Sequence, residues 1–248
     1  MPGPELWGDE LRDYRQRYVL PDQFVWDEAA RPRVQFDGYM AVVLGLLPPP
    51  HAEVLDVGCG QGFGAKRMCA RGYGVITGLD FNERGIAFGA VLVPEARLFH
   101  ADARLLAQRE ELHGRFDAVT IIEVLEHIPP AFHDDVMRGA SASLRPGDAL
   151  IVSLPSNRLT PSRWDYKHFE PHEVTELMER HRFRLDAPVY QCRVGLLQSP
   201  RLWHLVDNRF YDLKILRRLI RKAFLRYHNI TSNERSVGRF IVRGIKPA

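Results

Sequence analysis

Glu53-Val54-Leu55-Asp56-Val57-Gly58-Cys59-Gly60-Gln61-Gly62-Phe63-Gly64 is the stretch that decides the fold. Val54, Leu55 and Val57 make a short apolar run, the composition of a strand buried on both faces of a parallel sheet. Glycines follow at every second position from 58 to 64. Residues without a Cβ let the chain turn sharply from strand into helix and let a ligand come close to the backbone. The order is Gly-x-Gly-x-Gly, not the Gly-x-Gly-x-x-Gly of dinucleotide sites, and no Gly-Lys-Ser/Thr follows as in a nucleotide-phosphate loop. Asp56 sits inside the strand end, where a carboxylate can brace the loop or meet a cationic ligand.

Further along the chain, the pattern of apolar strand plus acid recurs. Gly74-Val75-Ile76-Thr77-Gly78-Leu79-Asp80 reads as a second strand ending in a carboxylate. An acid at that place in nucleotide-binding α/β folds accepts hydrogen bonds from ribose hydroxyls. Phe81 beside it is a candidate adenine contact. The competing role for Asp80 is a helix cap, since Asp80 and Glu83 have capping-box spacing. A third run, Arg97-Leu98-Phe99-His100, leads into Ala101-Asp102-Ala103. Residues 118–122 read as a central fourth strand that opens after Asp117 and ends at Glu123. Leu144-Arg145-Pro146-Gly147-Asp148 is a helix end and a turn, and a fifth strand runs through Ser153.

In this order and at these spacings, the motifs resemble those of class I S-adenosylmethionine (SAM) dependent methyltransferases over about residues 50–190. The resemblance implies an α/β, Rossmann-like sheet of seven strands with helices on both faces and the last two strands antiparallel. It implies a SAM site built from Asp56, Gly58, Cys59, Gly60, Gly62, Asp80, Phe81, Asp102, Ala103 and Glu123. Asp102 would meet the exocyclic amine of adenine.

With 248 residues, 45% hydrophobic and 26% charged, one domain with a sizeable core is the simplest organisation. A net charge of +3 is too small to imply nucleic acid. Cys59, Cys69 and Cys192 are odd in number and lack metal-ligand spacing, which fits a reducing, cytoplasmic setting. Neither a signal peptide nor an apolar run near 18 residues is seen, so no membrane span is expected.

The expected layout is an N-terminal helical segment (1–48), the SAM-binding core (50–190), a helical insertion (192–236) and a final strand (237–245). Helices are expected over 32–47, where Pro48-Pro49-Pro50 stops the run, and near 63–72, 83–92, 104–112, 131–143 and 172–181. A sixth strand is expected over 183–191. The aromatics Trp7, Tyr14, Tyr18, Phe24 and Trp26 belong to an arm that either folds over the cofactor or simply packs. Within the insertion, residues 213–227 are basic and amphipathic. That stretch is either a surface helix packed by its apolar stripe (Leu213, Leu216, Leu219, Ile220, Ala223, Phe224 and Tyr227) or a contact for a membrane surface, an anionic acceptor or RNA.

Methyl transfer from SAM is one in-line displacement, so the protein must align the acceptor, exclude water and often take a proton. His127, just past the fourth strand, is the candidate general base, and the competing role is to orient the loop before Pro129-Pro130. His168 is a second candidate base or a loop anchor. Its run His168-Phe169-Glu170-Pro171 resembles the His-Phe-Thr-Pro segment before the next helix in many small-molecule methyltransferases, ubiquinone-biosynthesis-like O-methyltransferases share much of the Glu123-to-His127 run, and the C-terminal insertion resembles that of glycan and natural-product methyltransferases; together these resemblances imply a small-molecule or sugar acceptor. Glu123-x-x-Glu126-His127 together with His168 also resembles the metal-binding set of RNA 3′-end 2′-O-methyltransferases. That alternative implies a divalent metal and an RNA acceptor; neither is favoured, and no metal residue is assigned. A non-catalytic SAM-binding subunit is the remaining alternative.

Overall fold

The computed structural model describes residues 31–186, 189–192, 207–208, 211–212, 215–216, 218–219, 222 and 237–248. Helix α1 (Arg31–Leu46) enters the sheet at β1 (Glu53–Val57). There follow α2 (Phe63–Cys69), β2 (Val75–Asp80), α3 (Glu83–Leu92), β3 (Arg97–His100), β4 (Phe116–Ile122), α4 (His133–Ser143), β5 (Leu144–Pro155), α5 (Pro171–Arg180), β6 (Arg184–Leu185) and β7 (Val189–Cys192). A two-stranded pair, β8 (Asp207–Asn208) with β9 (Tyr211–Asp212), precedes the last strand, β10 (Val237–Ile245).

The sheet runs β3-β2-β1-β4-β5-β10-β6, with β7 also on β10. Strands β1 to β5 are parallel and β10 is antiparallel to β5. Counting β6 and β7 as one interrupted strand gives the expected seven. From Leu185 to Val189 is four steps, while their partners Gly244 and Ile241 are three apart, so the register on β10 differs by one residue between β6 and β7.

Alternating strand residues divide the core between the two faces. Leu55, Val57, Val119 and Ile121 pack with α4 and α5. Val54, Ile76, Ala118 and Ile151 pack with Met40 and Val43 of α1 and with Ala65 and Met68 of α2. Asp56 and Thr120 share the parity of the second face, so a carboxylate and a hydroxyl are placed inside that apolar layer. The hydroxyl donates to Asp56 Oδ1 at 2.8 Å.

Three expectations need correction. The helix over 104–112 is instead two tight 3₁₀ turns, Ala103–Gln108 and Glu110–Leu112. The Arg104 amide bonds back to Asp102 Oδ1 at 2.9 Å, which closes a turn two residues on. Helix α4 also crosses there so closely that a Cβ on Gly139 would stand 2.6 Å from Leu106 Cβ. The turn expected at 145–148 lies within β5, and the pairing jumps from Phe116↔Leu144 to Ala118↔Ala149 across it. In the basic stretch, residues 215–216, 218–219 and 222 are helical. There Ile215, Leu216 and Leu219 are 76%, 37% and 57% exposed, so Leu216 and Leu219 do not pin that stretch to the core. Leu213 and Ile220, like the arm over 1–30, lie outside the described residues. No helix among the described residues is long and apolar enough to cross a membrane.

Candidate active site

The chain moves outward from β1 to β2 and β3, then returns to β4 on the other side of β1. The crevice at the carboxyl ends of β1 and β4 is therefore the switch point where open α/β sheets bind ligands. Gly58 leaves β1 with φ 74, and a Cβ there would stand 2.4 Å from Cγ2 of Val124. Conformation and space both demand glycine. The Gly58 and Cys59 amides donate to the Leu79 carbonyl at 2.8 and 3.0 Å, stapling the loop to the end of β2.

Asp80 completes that staple. Its Oδ2 accepts from the Gly60 amide at 2.9 Å and its Oδ1 from the Asn82 amide at 2.8 Å. Burial pushes the carboxyl upward, against the pull of those two amides and of the nearby His100 and His127. Each oxygen keeps further acceptor capacity, which is what ribose hydroxyls require. The cap of α3 is Asn82, whose Oδ1 accepts from the Gly85 amide at 3.0 Å. The Asp80–Glu83 capping box is not the one used.

Of the residues expected at the cofactor, Gly58, Cys59, Gly60, Asp80, Phe81, Asp102, Ala103 and Glu123 line one cavity. His127 lines it too. Asp56 and Gly62 do not belong to the lining. Asp56 is buried behind the loop, with Oδ2 3.0 Å from where a Cβ on Gly64 would sit. Burial, countered in part by Thr120 and helped by the charge of Asp80, raises its pKa to about 6. Asp102 serves the turn as well as the wall, for Arg104 Nε stands 3.0 Å from both of its oxygens. Cys59 packs over Gly78, and burial, then the charges of Asp56 and Asp80, push its thiol well up. It is a wall residue without thiolate character.

The opposite corner is built by β4 and the loop after β5. Glu123 adopts φ 55, an uncommon conformation for a side-chain-bearing residue and one that recurs at functional sites. Its Oε1 accepts from Ser153 Oγ at 2.6 Å and its Oε2 from Arg239 Nε at 2.6 Å. The Arg239 guanidinium in turn lies 5.1 Å from the ring centre of Tyr39. The loop over 156–170 is tied to the turn after β4, since the Tyr166 amide donates to the Glu126 carbonyl at 2.7 Å. His127 Nδ1 faces the Trp164 carbonyl at 3.1 Å and Asp165 Oδ1 at 3.1 Å. His168 does not line the cavity. Its Nε2 meets Asp165 Oδ2 at 2.9 Å and its Nδ1 the Leu159 carbonyl at 3.2 Å.

Sequence reasoning missed Phe36 and Tyr39 of α1, which line the cavity, and also Arg239 and Asp165. A signal existed for Arg239: it shares strand parity with the buried Ile241, so a cation stands where the pattern calls for an apolar residue. For Asp165 the signal was the i,i+3 spacing to His168.

The metal alternative does not fit this arrangement. Both oxygens of Glu123 are taken by Ser153 and Arg239. Glu126 is 3% exposed, and burial, then the charge of Glu123, push its carboxyl well above the usual range. Among the described residues no group of three or more His, Cys, Asp or Glu is arranged to hold a metal ion.

Cradle, crevice and topology together define a class I SAM-dependent methyltransferase. The family model described as a methyltransferase domain matches residues 30–223, and the chain belongs to that family. In sequence it is similar to the ubiquinone biosynthesis O-methyltransferase of Pseudomonas aeruginosa, 36% identical over 104 residues. It is similar too to that of Chromobacterium violaceum, 37% identical over 104 residues. Each match covers 41% of this chain and 43% of the relative, so less than half of either curated relative is matched. In structure it is similar to a SAM-dependent methyltransferase from Archaeoglobus fulgidus (TM-score 0.61, 15% identity, 91% of this chain and 100% of that one). A second neighbour is the 1,6-didemethyltoxoflavin-N1-methyltransferase of Burkholderia thailandensis, solved with 1,6-didemethyltoxoflavin and S-adenosylhomocysteine (TM-score 0.61, 17% identity, 100% of this chain and 92% of that one). The lining fits SAM on this chain's own chemistry: glycine backbone at the loop, a buried acceptor at Asp80 and the aromatic Phe81 beside it.

Proposed function

We propose that this enzyme methylates a hydroxyl of a small molecule or sugar, with His127 as the general base. The observation that carries this reading is the presence of His127 in the same cavity wall as the glycine loop and Asp80. A proton acceptor there shares a cavity with the residues that would hold the cofactor. The matched relatives are named as O-methyltransferases, which supports oxygen as the atom methylated.

When bound, SAM supplies a methyl group on a positively charged sulfur. The protein's share is positional and acid–base. Gly58, Gly60 and Asp80 would hold the cofactor, and Phe81, Ala103 and Asp102 would border its adenine. His127 takes the proton of the acceptor hydroxyl. The Glu123–Arg239 pair and Tyr39 close the corner without leaving an unbalanced charge.

Methyl-labelled SAM incubated with extract of the source organism tests the acceptor class. Label is expected in free or lipid-linked small molecules and to be indifferent to chelator. Label in RNA that vanishes with chelator would refute the reading. With the acceptor in hand, His127→Ala should retain SAM binding and lose about 10²-fold or more in turnover, as for a general base.

A further inference from the structure

We propose that Arg239 anchors an anionic group of the acceptor, a carboxylate or a phosphate monoester, through its two terminal nitrogens. This deepens the reading of a small-molecule acceptor and rests on it. Strand β10 runs antiparallel to β5 and sets Arg239 opposite Pro155, the last residue of β5. Strand β5 lies parallel to β4, so Arg239 stands at the rim of the sheet where β4 delivers Glu123 to the cavity. Two residues of the cavity wall approach it. Glu123 Oε2 accepts from Arg239 Nε at 2.6 Å, and the ring centre of Tyr39 lies 5.1 Å from the guanidinium carbon.

A guanidinium carries five N–H donors on one rigid plane. The donor on Nε serves Glu123. The others, on Nη1 and Nη2, have no acceptor among the described residues. Neither nitrogen is a buried atom left without a partner, and 26% of the side chain is exposed, so the terminal edge is open to solvent. That edge presents two parallel N–H bonds, the geometry that two oxygens of a carboxylate or phosphate accept together. Glu123 holds the plane by one side and Tyr39 by one face. The fork is therefore set before a ligand arrives, and little side-chain freedom is lost on binding. Neutralising Glu123 alone needs one donor and no fork, and an ammonium would suffice for it.

The charges agree with this assignment. The carboxyls that act on Arg239 are Glu123 and Glu126. Burial, then the charge of Glu123, pushes Glu126 well above the usual range and towards its uncharged form. The Glu123–Arg239 pair is thus neutral by itself. SAM brings a net positive charge when bound, since its sulfonium and ammonium outnumber its carboxylate. An anionic acceptor offsets that charge where water is excluded and an unpaired charge is costly.

The test starts from the wild-type enzyme and methyl-labelled SAM in extract of the source organism. The labelled small molecules are passed over an anion exchanger at neutral pH, before and after treatment with alkaline phosphatase. Labelled product should be retained. Retention that phosphatase abolishes identifies a phosphate, and retention that survives it identifies a carboxylate. A labelled small molecule that flows through untreated overturns the proposal, whether or not any variant folds, and leaves the methylated hydroxyl standing. Label in RNA instead overturns the reading beneath it. With the retained acceptor in hand, Arg239→Lys keeps a cation for Glu123 and loses the fork. Its KM for the acceptor should rise about 10–10²-fold, as for lost charged hydrogen bonds, with kcat and the calorimetric affinity for S-adenosylhomocysteine each within about twofold. An unchanged KM overturns the anchor. So does a loss of affinity for S-adenosylhomocysteine as large as the expected rise in KM, which would put the cofactor's own carboxylate on Arg239.

Discussion

Replacing Asp56 by Asn should make the protein more stable at neutral pH while leaving the cofactor in place. Asp56 lies within the apolar layer between the sheet and α2, 4% exposed, and the Thr120 hydroxyl donates to Oδ1 at 2.8 Å. Burial lifts its pKa from 3.8 to about 6 in the folded protein, so the native state binds a proton that the unfolded chain has already released. The neutral carboxyl therefore stabilises the fold fully below about pH 3.8, and this contribution is lost as pH rises through about 6. The gap between those two values converts to about 3 kcal/mol at 1.36 kcal/mol per pH unit. Asn keeps an oxygen for Thr120 and cannot ionise. The difference in unfolding free energy between Asp56→Asn and wild type should accordingly grow by up to about 3 kcal/mol between about pH 4 and pH 7. For a domain of this size that is roughly 6–12 °C in melting temperature. Urea titrations of both proteins at pH 4, 5, 6 and 7 measure it, with SAM affinity followed by calorimetry. A constant difference across that range would refute the burial argument. A tenfold weaker SAM affinity in Asp56→Asn would return Asp56 to the cofactor.

Three further outcomes are expected. Asp80→Asn leaves the Gly60 and Asn82 amides only one oxygen between them and forfeits at least one charged hydrogen bond of roughly 1.5–3 kcal/mol, so calorimetry should show SAM affinity at least tenfold weaker; equal affinity would remove the ribose assignment. Gly58→Ala sets a Cβ against Val124 at 2.4 Å and forces φ 74 on a side-chain-bearing residue, which should cost roughly 1–3 kcal/mol of stability. Adding Val124→Ala should recover only the steric part, and full additivity of the two changes would show that they do not touch. Glu123→Gln removes the anionic partner of Arg239 and should lower the urea midpoint by the equivalent of roughly 1.5–3 kcal/mol with the slope unchanged; an unmoved midpoint would show the pair to be idle.

The sheet and the glycine-loop cavity were legible because their determinants are local. An apolar run, a glycine at each sharp turn and an acid at each strand end lie within a dozen residues of one another. What escaped reading depends on chain segments meeting from afar. Arg239 reaches Glu123 across 116 residues and His127 reaches Trp164 across 37. No periodicity announces such contacts. The expected helix over 104–112 failed for a related reason, because the close passage of α4 at Gly139 and the bond from the Arg104 amide to Asp102 outweigh helix propensity. His168 was found by its motif, but its contacts with the Leu159 carbonyl and the Asp165 carboxylate are not written in that motif.

The ladder that joins β7 to β10 pairs Cys192 with Val237. Strand β10 runs against β5, so both residues stand at the rim that holds the cavity. The 44 residues between them thus begin and end at one fixed hinge pair on the edge of the sheet. Chain added or removed there changes the closure entropy only with the logarithm of its length, and it disturbs no strand order. This makes the segment an exchangeable cassette. A different span grafted between Cys192 and Val237 would leave the pairing of β7 with β10 and of β10 with β5 as it is.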